Sequence, residues 1–221
     1  YVEPLLNDPQ GVKRANEINR LAGEANYRTG KYVEALPYLE KSAQRTGVSR
    51  EDRYILGYTY LKTGDCKKAL EQFNLVGNGT DSLAQLATYH MADCYLKLNE
   101  KNYARNAFKK AYDMGNDPKV AEDALFNYAK LAYELSLDPY HEAINALQNY
   151  LKTYPNTPRK NEVYEFLLSV YLKTKNYAAA LSALDEIQNR DLRLQEAYQK
   201  LAFDRGVELY EGRRYKDAAL F

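Results

Sequence analysis

The feature that most narrows the fold of this chain is a pair of small residues returning at a fixed interval. Gly23 precedes Ala35 by 12 residues, Gly57 precedes Ala69 by 12, and Gly206 precedes Ala218 by 12. Leu168 and Ala180 keep that interval, while Ala92–Ala107 and Ala129–Ala143 form the pair at 15 and 14. The second members are separated by 34, 38, 36, 37 and 38 residues, which divides the chain into six units. A period of this length marks an array whose units are single supersecondary elements.

Each unit reads as two amphipathic helices joined by a short turn. The second is the clearest: Leu56-Gly57-x-x-Tyr60, then Thr63-Gly64-Asp65, then Ala69-Leu70-x-x-Phe73-x-x-Val76. Apolar spacings of three and four predict the helices. Gly64 suits the left-handed residue that ends a helix, and Asp65 suits the N-cap of the next. Turn chemistry recurs at Thr29-Gly30-Lys31, Asp138-Pro139, Lys175-Asn176 and Glu211-Gly212-Arg213. Small residues let the antiparallel helices of a hairpin approach closely; Leu168 is the bulky exception.

These residues resemble the tetratricopeptide repeat family. Leu56-Gly57-Tyr60 and Met91-Ala92-Tyr95 carry the first part of the family pattern. Tyr32-Ala35, Tyr140-Ala143, Tyr177-Ala180 and Tyr215-Ala218 carry the second, and Pro155 closes the fourth unit. Cys66 stands in the Tyr slot of unit two, and unit three slips, with Tyr103 four residues before Ala107. The resemblance covers about residues 14–221 and implies an all-α, right-handed superhelical solenoid of antiparallel helix hairpins. Units are expected at 16–49, 50–84, 85–121, 122–160, 161–198 and a partial 199–221, with 98–103 and 135–140 as longer loops. Residues 1–13, containing Pro4, Pro9 and Gly11, read as an extended arm. A last unit that stops within its second helix reads as part of a longer array.

Composition limits the function classes. With 31 Lys+Arg against 30 Asp+Glu, there is no basic field for nucleic acid. No segment approaches the roughly 20 apolar residues that span a bilayer. Cys66 and Cys94, 28 residues apart, match no metal or redox spacing and read as small buried hydrophobes. His90 and His141 have no partner at metal-ligand spacing. No phosphate loop or nucleophile elbow occurs, and acidic pairs such as Glu51-Asp52 and Glu122-Asp123 suit helix N-termini. Neither a catalytic residue, a cofactor nor a metal is therefore expected.

What the resemblance implies is a surface. In the family, positions two, five, nine and twelve of the first helix of each unit (helix A) line the concave side of the superhelix. Mapped here, the middle of that face holds Tyr54, Tyr58, Tyr89, Asp93, Phe126, Lys130 and Tyr133. The aromatic residues are expected to anchor a peptide or partner protein, and Glu51, Asp93 and Asp123 favour a basic or mixed one. Glu24, where a chaperone-binding clamp has Asn, repels the carboxylate such a clamp holds. The other reading is a structural spacer that associates through its ends or convex face, including self-association. The stretch from Tyr150 to Tyr154-Pro155 is similar to junctions in bacterial envelope repeat proteins, which implies a periplasmic or cell-envelope setting, a cytoplasmic one being the other reading.

Overall fold

A computed structural model describes residues 9–135, 141–187, 190 and 192–221. The described residues form twelve α-helices and no strand. They pair along the chain as α1 (Pro9–Arg28) and α2 (Tyr32–Ser42), α3 (Arg50–Thr63) and α4 (Cys66–Val76), α5 (Ser82–Lys97) and α6 (Lys101–Met114). Next come α7 (Pro118–Leu135) and α8 (His141–Thr153), α9 (Lys160–Lys173) and α10 (Tyr177–Asp185), α11 (Leu192–Glu211) and α12 (Tyr215–Ala218). The chain divides into two compact units, Tyr1–Ala124 and Leu125–Phe221. Helix α1 begins at Pro9, so the expected arm is helical from residue 9; residues 1–8 lie outside the described part. Asp138, Pro139 and Tyr140 also lie outside it, with most of the expected 135–140 loop.

One turn geometry joins helix A to the second helix (helix B) in five hairpins. A residue with positive φ ends helix A: Gly30 at 75°, Gly64 at 95°, Asn99 at 60°, Lys175 at 55° and Arg213 at 58°. The next N–H closes back to a carbonyl five residues earlier: Lys31 to Asn26, Asp65 to Tyr60, Glu100 to Tyr95, Asn176 to Tyr171, Arg214 to Leu209, at 2.8–2.9 Å. This bond satisfies a carbonyl that the helix end would leave open. The same donor residue then starts helix B, where Asp65 and Asn176 cap by accepting from the N–H of Lys68 and Ala179.

This geometry corrects the reading of the third unit. The turn is Leu98-Asn99-Glu100, as short as the others, and α6 starts at Lys101. The small residue opposite Ala92 is Ala104, fully buried, whose N–H bonds the Glu100 carbonyl at 3.1 Å. Ala35, Ala69, Ala180 and Ala218 make the same bond to Lys31, Asp65, Asn176 and Arg214. The interval is therefore 12, as in units one, two, five and six, and neither a slip nor a long loop exists there. In the sixth hairpin the positive φ belongs to Arg213, one residue beyond Gly212.

Packing inside the first unit follows from the small residues. A Cβ on Gly57 would lie 2.9 Å from Phe73 Cε1 and 3.1 Å from Gln72 Cβ. Phe73 and Ala69 are fully buried, with Leu56, Tyr60, Cys66 and Cys94 around them. Both cysteines are thus buried free thiols, as their spacing suggests. Gln85 is also fully buried: its amide nitrogen donates to the Ala111 carbonyl at 3.0 Å, and its oxygen accepts from the Asp117 N–H at 2.6 Å. Arg50 joins the start of α3 to the start of α5, donating to both oxygens of Asp81 (2.6 and 2.9 Å) and to the Val76 carbonyl. That pair and the Ala84 N–H hold the Asp81 carboxyl down at about 2. In the second unit Tyr150, Leu147, Val163, Val170 and Leu184 are fully buried. Tyr150 shares a hydroxyl hydrogen bond of 2.8 Å with Thr157.

Two outcomes follow from this packing. Gly57→Ala gains about 1 kcal/mol of helix propensity, but the extra carbon meets a ring that cannot retreat, at about 1–3 kcal/mol. The variant is expected to be less stable by about 1 kcal/mol in urea unfolding; equal or higher stability would show that the hairpin tolerates separation. Burial raises the Tyr27 phenol to about 12 and pushes Tyr54 and Tyr60 higher still. Their folded values exceed the unfolded value of 10.0, so this stability is complete below pH 10; the Tyr27 share is lost as pH rises through 12 and those of Tyr54 and Tyr60 at higher pH. Absorbance titration near 295 nm should show these phenols ionising together with alkaline loss of helix.

Candidate functional site

Position numbers along helix A place the candidate residues. Counted from 50, 85 and 122, Tyr54, Tyr89 and Phe126 sit at position five, Tyr58, Asp93 and Lys130 at nine, and Tyr133 at twelve. Helices α3 and α5 carry Tyr54, Tyr58, Tyr89 and Asp93, all within the first compact unit. Phe126, Lys130 and Tyr133 lie on the part of α7 that belongs to the second unit.

In the first unit the rings form one connected ladder. Tyr27 and Tyr32 meet edge to face at 5.9 Å, and each meets Tyr58, at 5.8 and 5.9 Å. Tyr58 stacks on Tyr54 at 6.2 Å and meets His90 at 4.9 Å. His90 also contacts Tyr54, Phe73 and Tyr89, at 6.1, 6.1 and 5.4 Å. Offset and edge-to-face pairs are the favoured geometries of aromatic contact. His90 is thus the hub of the ladder, with its Nδ1 hydrogen-bonded to Asp93 at 2.9 Å. This histidine has no ligand spacing in the sequence, and its role is only visible once the neighbouring repeat is in place.

The candidate residues differ in what a partner could reach. Tyr54 is only 9% exposed, covered by His90 and Phe73, and Phe126 only 7%. Arg159 lies over the Phe126 ring at 4.4 Å and Tyr150 packs beside it at 5.6 Å. Neighbouring side chains already lie against both rings. Tyr58, Tyr89, Asp93, Lys130 and Tyr133 are half-buried. The Tyr89 hydroxyl donates to Asp123, and Lys62 stands 5.0 Å over the Tyr58 ring. The Tyr58 hydroxyl holds the Lys62 ammonium above its usual range, with Asp93 adding to the effect. In the second unit Tyr133 contacts Phe166 at 5.2 Å and carries Lys173 at 5.1 Å over its ring.

Chemically, these patches offer aromatic edges, carboxylates and exchangeable ammonium groups. Among the described residues no cluster of three His, Cys, Asp or Glu could hold a metal ion. No described helix is long and apolar enough to cross a membrane.

Two family models match the chain. Residues 28–111 match the model described as anaphase-promoting complex, cyclosome, subunit 3, and residues 123–157 match a tetratricopeptide repeat model. No curated protein sequence matches. Among solved structures, a MamA protein superposes with a TM-score of 0.61 at 18% identity, over 85% of this chain and 96% of that one. The Pseudomonas aeruginosa PilF protein gives 0.54 at 15% identity, over 95% and 89% of the two chains. A tetratricopeptide repeat protein from Parabacteroides merdae gives 0.51 at 16%, over 99% and 78%. These structures share the fold; the matched models and the repeated hairpin with its small-residue crossing and left-handed turn make this chain a tetratricopeptide repeat protein.

Proposed function

We propose that this chain is a non-enzymatic protein-interaction scaffold that receives a peptide or partner segment along its helix-A faces. The carrying observation is the ring ladder of the first unit, where Tyr58 and Tyr89 are half-buried beside the Asp93 carboxylate. Tyrosines held in this way supply contact area at low entropic cost. Tyr54 stacks on Tyr58 and meets His90, which in turn contacts Tyr89. Asp93 is 33% exposed at its side chain and Glu51 lies exposed at the start of α3, so the patch suits a basic or mixed-charge segment. An arginine or lysine of the partner would displace Lys62 from the Tyr58 ring, replacing one cation–π contact by another. In the second unit, half-buried Lys130 and Tyr133 on α7 would form the corresponding patch.

The test is a fluorescence-polarisation screen of basic, acidic and neutral peptides against the chain. Basic peptides should bind best. Tyr58→Ala and Asp93→Asn should each weaken the selected peptide by about 1–2 kcal/mol, roughly five- to thirtyfold. Unchanged affinity in both variants, with the fold intact by circular dichroism, would overturn the proposal.

A further inference from the structure

Cys66 and Cys94 are the only cysteines of the chain, and folding brings them together across the junction of the second and third repeats. Cys66 is the first residue of α4, directly after the turn at Gly64-Asp65. The first residues of α2, α10 and α12 are Tyr32, Tyr177 and Tyr215, so the second repeat puts a small thiol where three others put a ring. Cys94 lies about one turn before the end of α5. There Lys97 donates to the Leu61 carbonyl at 3.0 Å, tying the end of α5 to the end of α3, just ahead of Cys66. Both cysteines belong to one buried cluster with Leu61, Ala69 and Phe73, Cys66 4% exposed and Cys94 fully covered.

The two side chains are within hydrogen-bonding reach of each other, and the structure shows both as thiols. Burial, and after it the charge and hydrogen bond of Cys66, hold the Cys94 thiol well above its usual range; Asp93 adds to this and Lys97 acts against it. A thiol kept protonated is a poor nucleophile, and neither sulfur is open to a reagent from solvent. Facing thiols in a closed junction therefore keep the redox state they had when it closed.

We propose that Cys66 and Cys94 are a disulfide site, bridged when the junction folds or opens in the presence of a disulfide donor, an oxidised low-molecular-weight thiol. The Cys66 thiolate, nearer the turn, attacks one sulfur of the donor RSSR, forming Cys66–S–S–R and releasing RS−. The Cys94 thiolate then attacks Cys66 Sγ, forming the Cys66–Cys94 bond and releasing the second RS−. Two protein thiols are oxidised, one donor disulfide is reduced to two thiols, and the protons of the cysteines pass to the released RS− groups. The bond closes a loop that holds α4 and most of α5, and it pins the turn of the second repeat to helix A of the third. In an oxidising compartment such a bond persists; in a reducing one the chain keeps its two thiols.

The test uses the whole 221-residue chain, reduced, unfolded in urea and refolded with either oxidised or reduced glutathione. After refolding with oxidised glutathione, alkylation in denaturant should find no free thiol, and the intact monomer should be lighter by two hydrogens. Proteolysis should then yield a peptide pair joined at Cys66 and Cys94. The chain refolded with reduced glutathione should keep both thiols. Cross-linking a loop of this length should lower the unfolding equilibrium constant on the order of a hundredfold, read as a higher urea midpoint. Cys66→Ser and Cys94→Ser should each show no such rise on oxidation. Retention of both thiols under oxidised glutathione, a glutathione adduct in place of the bridge, or a dimer linked between chains overturns the proposal. So does an unchanged midpoint in the bridged chain, or a rise in either single variant.

Discussion

The closeness with which helix A meets helix B is set by the small residues at their crossing, and most of the structure depends on that distance. At Gly57 the partner helix is near enough for Phe73 to fill the space a side chain would take, so Phe73 is wholly excluded from water. Gly23 is crowded in the same way, with Leu39 Cδ2 2.7 Å from where its Cβ would be. Gly206 is different: the nearest atom to its Cβ position is Phe221 Cβ at 3.4 Å. The crossing is therefore tight in the first two hairpins and looser in the last.

Much of this was legible in the sequence because it is local. A pair of small residues 12 apart, a glycine at a turn and an aspartate after it describe one hairpin without reference to anything beyond it. The reading failed at the third hairpin because an asparagine fills the left-handed position that glycine holds at Gly30 and Gly64. Asparagine tolerates that conformation, and Lys175 and Arg213 adopt it with no glycine at all. Composition alone therefore under-reports the turn. Backbone geometry, shown by the recurring hydrogen bond into helix B, is the more uniform signature.

The candidate site was less legible, for a physical reason. Position on a helix says which way a ring points but not what the next repeat lays over it. Tyr54 and Phe126 share a position with Phe203, yet the first two are buried and the third is open. The covering groups, His90 and Arg159, lie 36 and 33 residues further along the chain. Tyr215 occupies the family's packing slot and is 56% exposed. Burial in an array belongs to the junction between neighbours, and a single repeat's pattern does not contain it.

The position of His90 has a consequence for how the inner face responds to force and to binding. Its ring is wedged among Tyr54 and Tyr58 of one repeat, Phe73 of that repeat's second helix and Tyr89 of its own, with Asp93 fixing its rotation. The third repeat cannot hinge against the second without breaking several ring contacts at once. The side chains of this ladder are thereby held in place by one another. Binding there would spend little entropy on ordering the surface, and its strength would be governed by how long the partner stays.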